Sequence, residues 1–420
     1  MARLRKNRLA MFALRMVVFL ALLALFADFI ANNKPFYTRY EGETYFPIFN
    51  DYLETLGLYQ WEADMIHIDW LDLERRDKLE GSFWPPVRYA PDDMDLDNPR
   101  SLSPFGRQNI DYWKEWHFFG TDRDGRDVLS GLIHGSRVSL TIGLVAMSIA
   151  AFIGILLGAM AGFYGDNRLQ LSRIGIAFML IGLVIGFFYG FVVRSYVLAE
   201  AMEDGGFTTI GQYLLSLVIM IAVVAVFILL SKPLERIKWL GTKRYLWLDI
   251  TLSRIIEILS SIPVIILIIT VGAITEERSI FLLMVILGLF SWPAVARYMR
   301  GEMLRTRNQM FIEAARSLGM REFRILVRHA IPNSLAPVLV VMAFGIASAI
   351  TIEAALSFLG IGVPEDIQTW GKLLREARNN VSAWWLSVFP GLAIFITVTC
   401  LNLLGEGLRD ALDPKILEEK

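Results

Sequence analysis

Eight apolar segments, near residues 11–31, 136–163, 173–199, 213–231, 250–273, 280–297, 336–357 and 386–408, constrain this chain more than any other feature. Each approaches the length of about 20 residues that carries a helix across a hydrocarbon core. An isolated segment in lipid can satisfy its backbone only as a helix. The sequence therefore predicts an all-α membrane protein, a polytopic bundle of about eight spans. Bulk composition agrees: 55% of residues are hydrophobic and the mean hydropathy is +0.48, too apolar for an ordinary soluble protein.

Charge orders the spans. The first fifteen residues hold Arg3, Arg5, Lys6, Arg8 and Arg15 with no acid. Residues 232–249 hold Lys232, Arg236, Lys238, Lys243 and Arg244. Residues 298–334 hold seven arginines against three glutamates. The link at 200–212 instead carries Glu200, Glu203 and Asp204 and no base. Short basic loops stay cytoplasmic. With eight spans, all three basic segments fall on one side and the acidic link on the other, so both termini are expected in the cytoplasm. The basic start before a long apolar stretch reads as an uncleaved signal-anchor helix. The tail at 409–420 is not basic and adds nothing to the topology.

Residues 32–135 form a long, acidic external segment rich in Pro, Asp and Trp, with short elements and no assignable fold; a solvated cap is the first reading and a substrate-contacting role the alternative. Gly154, Gly158 and Gly162 share one helix face, as do Gly182, Gly186 and Gly190. Small residues every four positions let helices approach closely. Cys400 is the sole cysteine, which excludes an intramolecular disulfide and a cysteine metal cluster.

The polar stretch EAARSLGMREFRILVRHAIP at 313–332 sits between two spans. Asn308 can cap a short helix, on which Phe311, Ala314, Ala315 and Leu318 repeat at i, i+3, i+4 and i+7. Gly319 is a suitable stop, because glycine tolerates the left-handed conformation. Phe323, Leu326, Val327 and Ala330 repeat the spacing on a second helix, which Pro332 is expected to end. Spacing alone leaves two uses open. The pair can lie on the membrane surface, or it can fill a groove on a partner protein; the small alanines suit a groove better than lipid.

This hinge resembles the EAA loop of binding-protein-dependent ABC importer permeases. Four further segments are similar to the C-type subunit of the dipeptide/oligopeptide/nickel group: FGTDRDGRDVLSGLIHGSRVSLTIGL at 119–144, EAALSFLGIGVP at 353–364, TWGKLL at 369–374 and FPGLAIFITVTCLNLLGEGLRDALDP at 389–414. The stretch ANNKPFYTRYEGETYFPIF at 31–49 resembles permeases of the microcin C uptake type. The family's usual core has six spans, so residues 166–247 read as an inserted two-span hairpin that departs from the pattern. An even insertion leaves the later topology unchanged.

The resemblance implies a bacterial inner-membrane permease for peptides or peptide-like compounds. Its implied partners are a B-type permease completing a heterodimeric pore, two cytoplasmic ATPase subunits and an extracytoplasmic substrate-binding protein; nucleic acid is not among them. No GxxxxGK[ST] loop occurs in the chain, and Gly241-Thr242-Lys243 lacks the upstream glycine. ATP is therefore expected on the partner subunits, with no cofactor and no catalytic residue here. On this reading Glu313, Ala314, Ala315 and Gly319 form the coupling core with Phe311 and Leu318, while His329 and Pro332 shape the exit into the next span.

Ionisable residues inside spans are expensive in lipid. Glu353 is the candidate for the translocation path, with local pairing as the competing reading. Arg254 and Glu257, three apart, are placed to pair. Trp292, Trp384 and Trp385 read as interfacial anchors. An ion-coupled secondary transporter is the rival function, but neither a mid-membrane coupling site nor an inverted repeat is visible. A membrane enzyme is disfavoured by four scattered histidines, His67, His117, His134 and His329. A structural subunit without a pore stays open.

Overall fold

The computed structural model describes residues 7–412 other than 63, 67, 99, 105, 110–114, 205, 238 and 275–278. Among these residues seven helices are long and apolar enough to cross a membrane, and a bent helix pair supplies an eighth crossing if it counts as one span. The expected all-α polytopic bundle is present. The basic Arg3, Arg5 and Lys6, His67, and the last eight residues of the tail lie outside the described residues. The chain divides into two compact units.

The first unit comprises residues 1–148, 265–288 and 339–420. It opens with α1 (Arg8–Leu25), whose first turn is capped by Asn7 accepting from the Ala10 amide at 3.1 Å. A short α2 (Ala27–Ile30) follows. The external segment then folds as β1 (Tyr37–Tyr40), β2 (Glu43–Tyr45), α3 (Pro47–Thr55), α4 (Trp70–Arg75) and β3 (Leu79–Phe83). The sheet is antiparallel with order β2-β1-β3. Trp70, Leu71 and Trp84 form its small core, with Tyr40, Tyr45 and Trp61 packed around them. The segment expected to end at 135 ends earlier, because α5 (Val128–Tyr164) begins at 128. Asp127 starts it by accepting from the Ser130 amide at 2.6 Å.

The second unit comprises residues 149–264 and 289–338. It holds β4 (Gln170–Ser172), α6 (Arg173–Phe187), α7 (Ser195–Asp204), α8 (Gly206–Ser231) and β5 (Lys243–Tyr245). The third span runs from α6 into a π-helical turn at Phe188–Val192, not to 199. The stretch expected as an acidic link at 200–212 is largely helix, divided between α7 and α8. β4 and β5 pair antiparallel, Leu171 opposite Arg244, and close the base of the hairpin. Ser172 caps α6 by accepting from the Gly175 amide at 2.9 Å.

The fifth span is not one rod. It breaks between α9 (Leu248–Ser260) and α10 (Val264–Ile274), with a 75° bend. Pro263 explains the break, since a proline disfavours helical geometry in the residue before it. The remaining elements are α11 (Ile280–Thr306), α12 (Met310–Ser317), α13 (Glu322–Ile325), α14 (Ile331–Leu359), α15 (Trp370–Asn379) and α16 (Trp385–Leu412). In the first unit, α16 packs against α1 and α15.

Both glycine runs pack as their spacing suggests. A Cβ at Gly158 would lie 2.5 Å from the Ala296 carbonyl on α11, and one at Gly186 would lie 2.9 Å from the Met220 carbonyl on α8. Two of the three tryptophans are not interfacial anchors. Trp292 and Trp385 are buried, and Trp385 donates its indole N–H to the Thr121 carbonyl at 3.0 Å. Buried indoles need such a partner. Only Trp384 stays exposed.

Candidate functional site

The hinge at 310–332 begins on α12. Asn308 does not cap it. Gln309 holds the N-cap position without a side-chain bond, and the Asn308 side chain donates through Nδ2 back to the Leu304 carbonyl instead. α12 ends in a Schellman turn. The Gly319 amide donates to Arg316 O at 2.9 Å and the Met320 amide to Ala315 O at 3.2 Å. Gly319 sits at φ +75°, a conformation that a Cβ would strain.

The apolar face expected on α12 is divided. Ala315 turns inward with Ile312, while Phe311, Ala314 and Leu318 face outward. Leu318 is 82% exposed and Met310 is 86% exposed. On a helix of 3.6 residues per turn these outward residues form one contiguous arc beside the buried one. α12 thus carries more apolar surface than its own chain covers. Glu313 is exposed in the first turn, where a carboxylate suits the helix dipole.

The second hinge helix splits similarly. Ile325, Leu326 and Ala330 are buried, while Phe323 and Val327 face out. Pro332 does not end it. Residues 326–330 form a π-helical turn, and the helix continues into α14, so Glu322–Leu359 runs unbroken. The widened turn accommodates a proline that has no N–H to donate. Pro332 is exposed and His329 half-buried, its carbonyl accepting from Asn333 Nδ2 at 2.7 Å.

Arginines that the spacing argument passed over hold this hinge in place. Arg316 donates to Glu322 at 2.8 Å and stacks over the Phe163 ring at 5.6 Å. Arg307 donates to the Gly162 carbonyl at 3.0 Å, near the end of α5. An arginine within an apolar period signals such a role only once its partners are known.

Glu353 does not face an open path. It is fully buried on α14. Ser139 Oγ and Ser357 Oγ each donate to it at 2.8 Å, and Thr369 bonds to it as well. Three hydroxyls satisfy the carboxyl locally and fasten α14 to α5. Arg254 and Glu257 do pair, at 2.7 Å, on an exposed face.

Outside the spans lies a polar cluster that sequence reading missed. His117, completely buried, places Nδ1 2.8 Å from Asp127 and Nε2 2.9 Å from Asp95. Tyr89 stacks on the ring at 4.3 Å between centroids. Burial alone would lower the imidazole pKa, but the bonds and charges of Asp127 and Asp95 outweigh it and push the value up to about 9. Burial likewise opposes ionisation of Asp95, yet His117, Asn98 and the Asp97 amide hold it well below the usual carboxylate range. Two acids flanking an imidazole form a lock at the start of α5. Among the described residues no group of three or more His, Cys, Asp or Glu is placed to hold a metal ion.

A family model described as binding-protein-dependent transport system inner membrane component matches residues 239–418. Another, the N-terminal TM domain of oligopeptide transport permease C, matches residues 1–51. The chain is 28% identical to the inner membrane ABC transporter permease protein YejE of Escherichia coli (strain K12), over 98% of this chain and 95% of that protein. It is 30% identical to the dipeptide transport system permease protein DppC of Alkalihalophilus pseudofirmus, over 71% of this chain and 72% of that protein. It is 29% identical to the oligopeptide transport system permease protein OppC of Haemophilus influenzae, over 71% of each.

Proposed function

This chain belongs to the binding-protein-dependent transport permeases, and from that membership we propose that it forms one half of a heterodimeric pore worked by a separate ATPase. The other half is a B-type permease. Two cytoplasmic ATPase subunits bind and hydrolyse the ATP, and an extracytoplasmic binding protein delivers the cargo. The relatives named for dipeptides and oligopeptides support peptides or peptide-like compounds as that cargo. Both termini lie in the cytoplasm on this reading, as the basic loops favour.

The observation that carries the proposal is the uncovered arc of Met310, Phe311, Ala314 and Leu318, set beside a fixed turn at Gly319. An apolar helix face that its own fold leaves bare suits a groove on a partner. Closure of the ATPases would move the hinge as a rigid element and rock the spans between two access states.

Ala314→Trp tests this directly, because residue 314 faces outward and its enlargement leaves the chain's own packing alone. The expected result is loss of co-purification with the ATPase subunits and of ATP-dependent uptake of a labelled dipeptide into vesicles, with insertion unchanged. Leu318→Asp, also outward, should behave alike. Normal assembly and uptake in both variants would overturn the docking face.

A further inference from the structure

α3 is amphipathic, but its fold covers only the edge of its apolar arc. At 100° per residue, Ile48, Tyr52, Leu56, Phe49 and Leu53 follow one another around one side, with Asn50, Asp51 and Glu54 on the other. Ile48 is buried in the core. Phe49, Tyr52, Leu53 and Leu56 are exposed by 45%, 41%, 39% and 71%.

The height of this bare face is set by neighbours. α1 has 18 residues, about 27 Å at 1.5 Å per residue, close to the thickness of a hydrocarbon core of about 30 Å. Its ends therefore mark the two interfaces. Phe29, four residues past the end of α1, stacks on Tyr52 at 5.9 Å and meets Phe49 edge-on at 5.7 Å. Arg137 fixes this corner by donating to the Ala24 carbonyl at 2.9 Å and to Asp28 at 2.8 Å. The aromatic chain continues from Phe29 to Phe26 on one side, and through Phe36 to Phe83 on the other. Phe26 and Phe83 are 47% and 66% exposed. The bare surface of α3 is thus continuous with the outward surface of α1, where Leu22 and Leu25 are also exposed.

We infer that α3 lies in the membrane interface at the end of α1, with Phe49, Tyr52, Leu53 and Leu56 sunk into the boundary between headgroups and acyl chains. Aromatic residues concentrate at that level, and interfacial helices bury their apolar face by about 5–10 Å. The polar face of α3 is acidic, and Lys34 is already paired with Asp51 at 2.7 Å. Attraction to anionic lipid therefore plays no part. The helix needs none, since its short tether to α1 removes most of the cost of finding the surface.

The test uses the full-length chain with Cys400→Ala in nanodiscs, alone and assembled with its partner subunits. Leu53→Cys and Glu54→Cys are labelled separately with a polarity-sensitive fluorophore. Lipids carrying a spin label near the headgroup should quench the probe at 53 several-fold more than the probe at 54, and aqueous iodide should show the reverse order. Replacing phosphatidylcholine by an anionic lipid should leave the ratio unchanged. Equal iodide quenching at both positions would mean a face in water and would overturn the inference. So would a probe at 53 that is shielded from both quenchers in the assembled transporter, because a protein then covers the face.

Discussion

Two glycine seams stand in one unit of this molecule, built on the same spacing but differently fastened. Along the seam of α5 with α11, Cβ atoms placed at Gly154, Gly158 and Gly162 would come within 2.6, 2.5 and 2.6 Å of their neighbours. Along the seam of α6 with α8, the corresponding distances at Gly182, Gly186 and Gly190 are 2.9, 2.9 and 2.8 Å. The α5–α11 seam is tighter and is braced at one end by polar ties. Arg307 holds the Gly162 carbonyl, Thr306 meets Ser334 at 3.0 Å, and Arg300 grips Asp249 at 2.8 Å. The hairpin seam is tied by Arg194 to Ser216 at 3.1 Å and to Gln212, by Ser172 to Glu235 at 2.7 Å, and by the short β4–β5 ladder at its base. Small residues bring helices together in lipid, and the braced seam runs on toward the hinge, where Arg316 lies over the Phe163 ring at the end of α5.

That contrast is broken or upheld most strongly by matched overpacking. Gly158→Leu drives a side chain into the α11 backbone, which has little freedom to yield. It should cost about 3 kcal/mol or more and abolish monodisperse protein on size exclusion. Gly186→Leu strains a looser pair that can splay outward. It should cost about 1–2 kcal/mol, leaving the chain inserted and ATP-dependent uptake retained. Equal losses in the two variants would mean that the hairpin is as integral as the braced seam.

The starting end of α5 depends on charge instead of close packing, and pH probes it. The folded pKa of His117, about 9, lies above its ordinary value of 6.5. Its contribution is therefore complete below pH 6.5 and disappears as pH rises through 9. The contribution is on the order of 3 kcal/mol. The depressed Asp95 reports the same contact from the other partner, so the two are not summed. Thermal melts of the chain in nanodiscs should fall from pH 6.5 to 9, and His117→Gln should flatten that dependence. A wild-type melting temperature that stays level across this range would mean an uncharged imidazole. The close contacts of the seam glycines are to backbone and apolar side chains and should not respond over this range.

Features with a short period were the ones legible in sequence. The spans and both seams follow from length and from spacings of three, four and seven residues, and the Gly319 bend from glycine's tolerance of the left-handed conformation. The hydroxyl set around Glu353 and the His117 lock were not, because Ser139 lies 214 residues from Glu353 and Asp95 lies 22 from His117. The external sheet was hidden by strands of three to five residues, too short to show alternation. Pro332 misled for a physical reason: proline ends a regular α-helix, but here a π-helical turn takes up the fault and the helix continues. The outward arc of α12 was half legible, since periodicity identifies an apolar face without saying how much of it the chain itself covers.

The smallest expected effect concerns caps, and it separates the hairpin from the hinge. Ser172 has two bonds at the base of the hairpin, accepting from the Gly175 amide and donating to Glu235 at 2.7 Å. Ser172→Ala should cost about 1 kcal/mol, read as faster amide exchange confined to the first turn of α6. Asn308 precedes the hinge with no capping bond, so Asn308→Ala should change exchange in α12 by an amount too small to resolve. The hinge can dispense with a side-chain cap because burial of Ile312 and Ala315 and the Arg316–Glu322 pair already hold α12 in place. At the base of the hairpin the Arg173 amide donates to the Thr242 carbonyl at 3.1 Å and its guanidinium lies over the Trp239 ring, but it is Ser172 whose side chain caps the first turn of α6. If Asn308→Ala loosened α12 as much as Ser172→Ala loosens α6, tertiary bracing of the hinge would be weaker than these contacts imply.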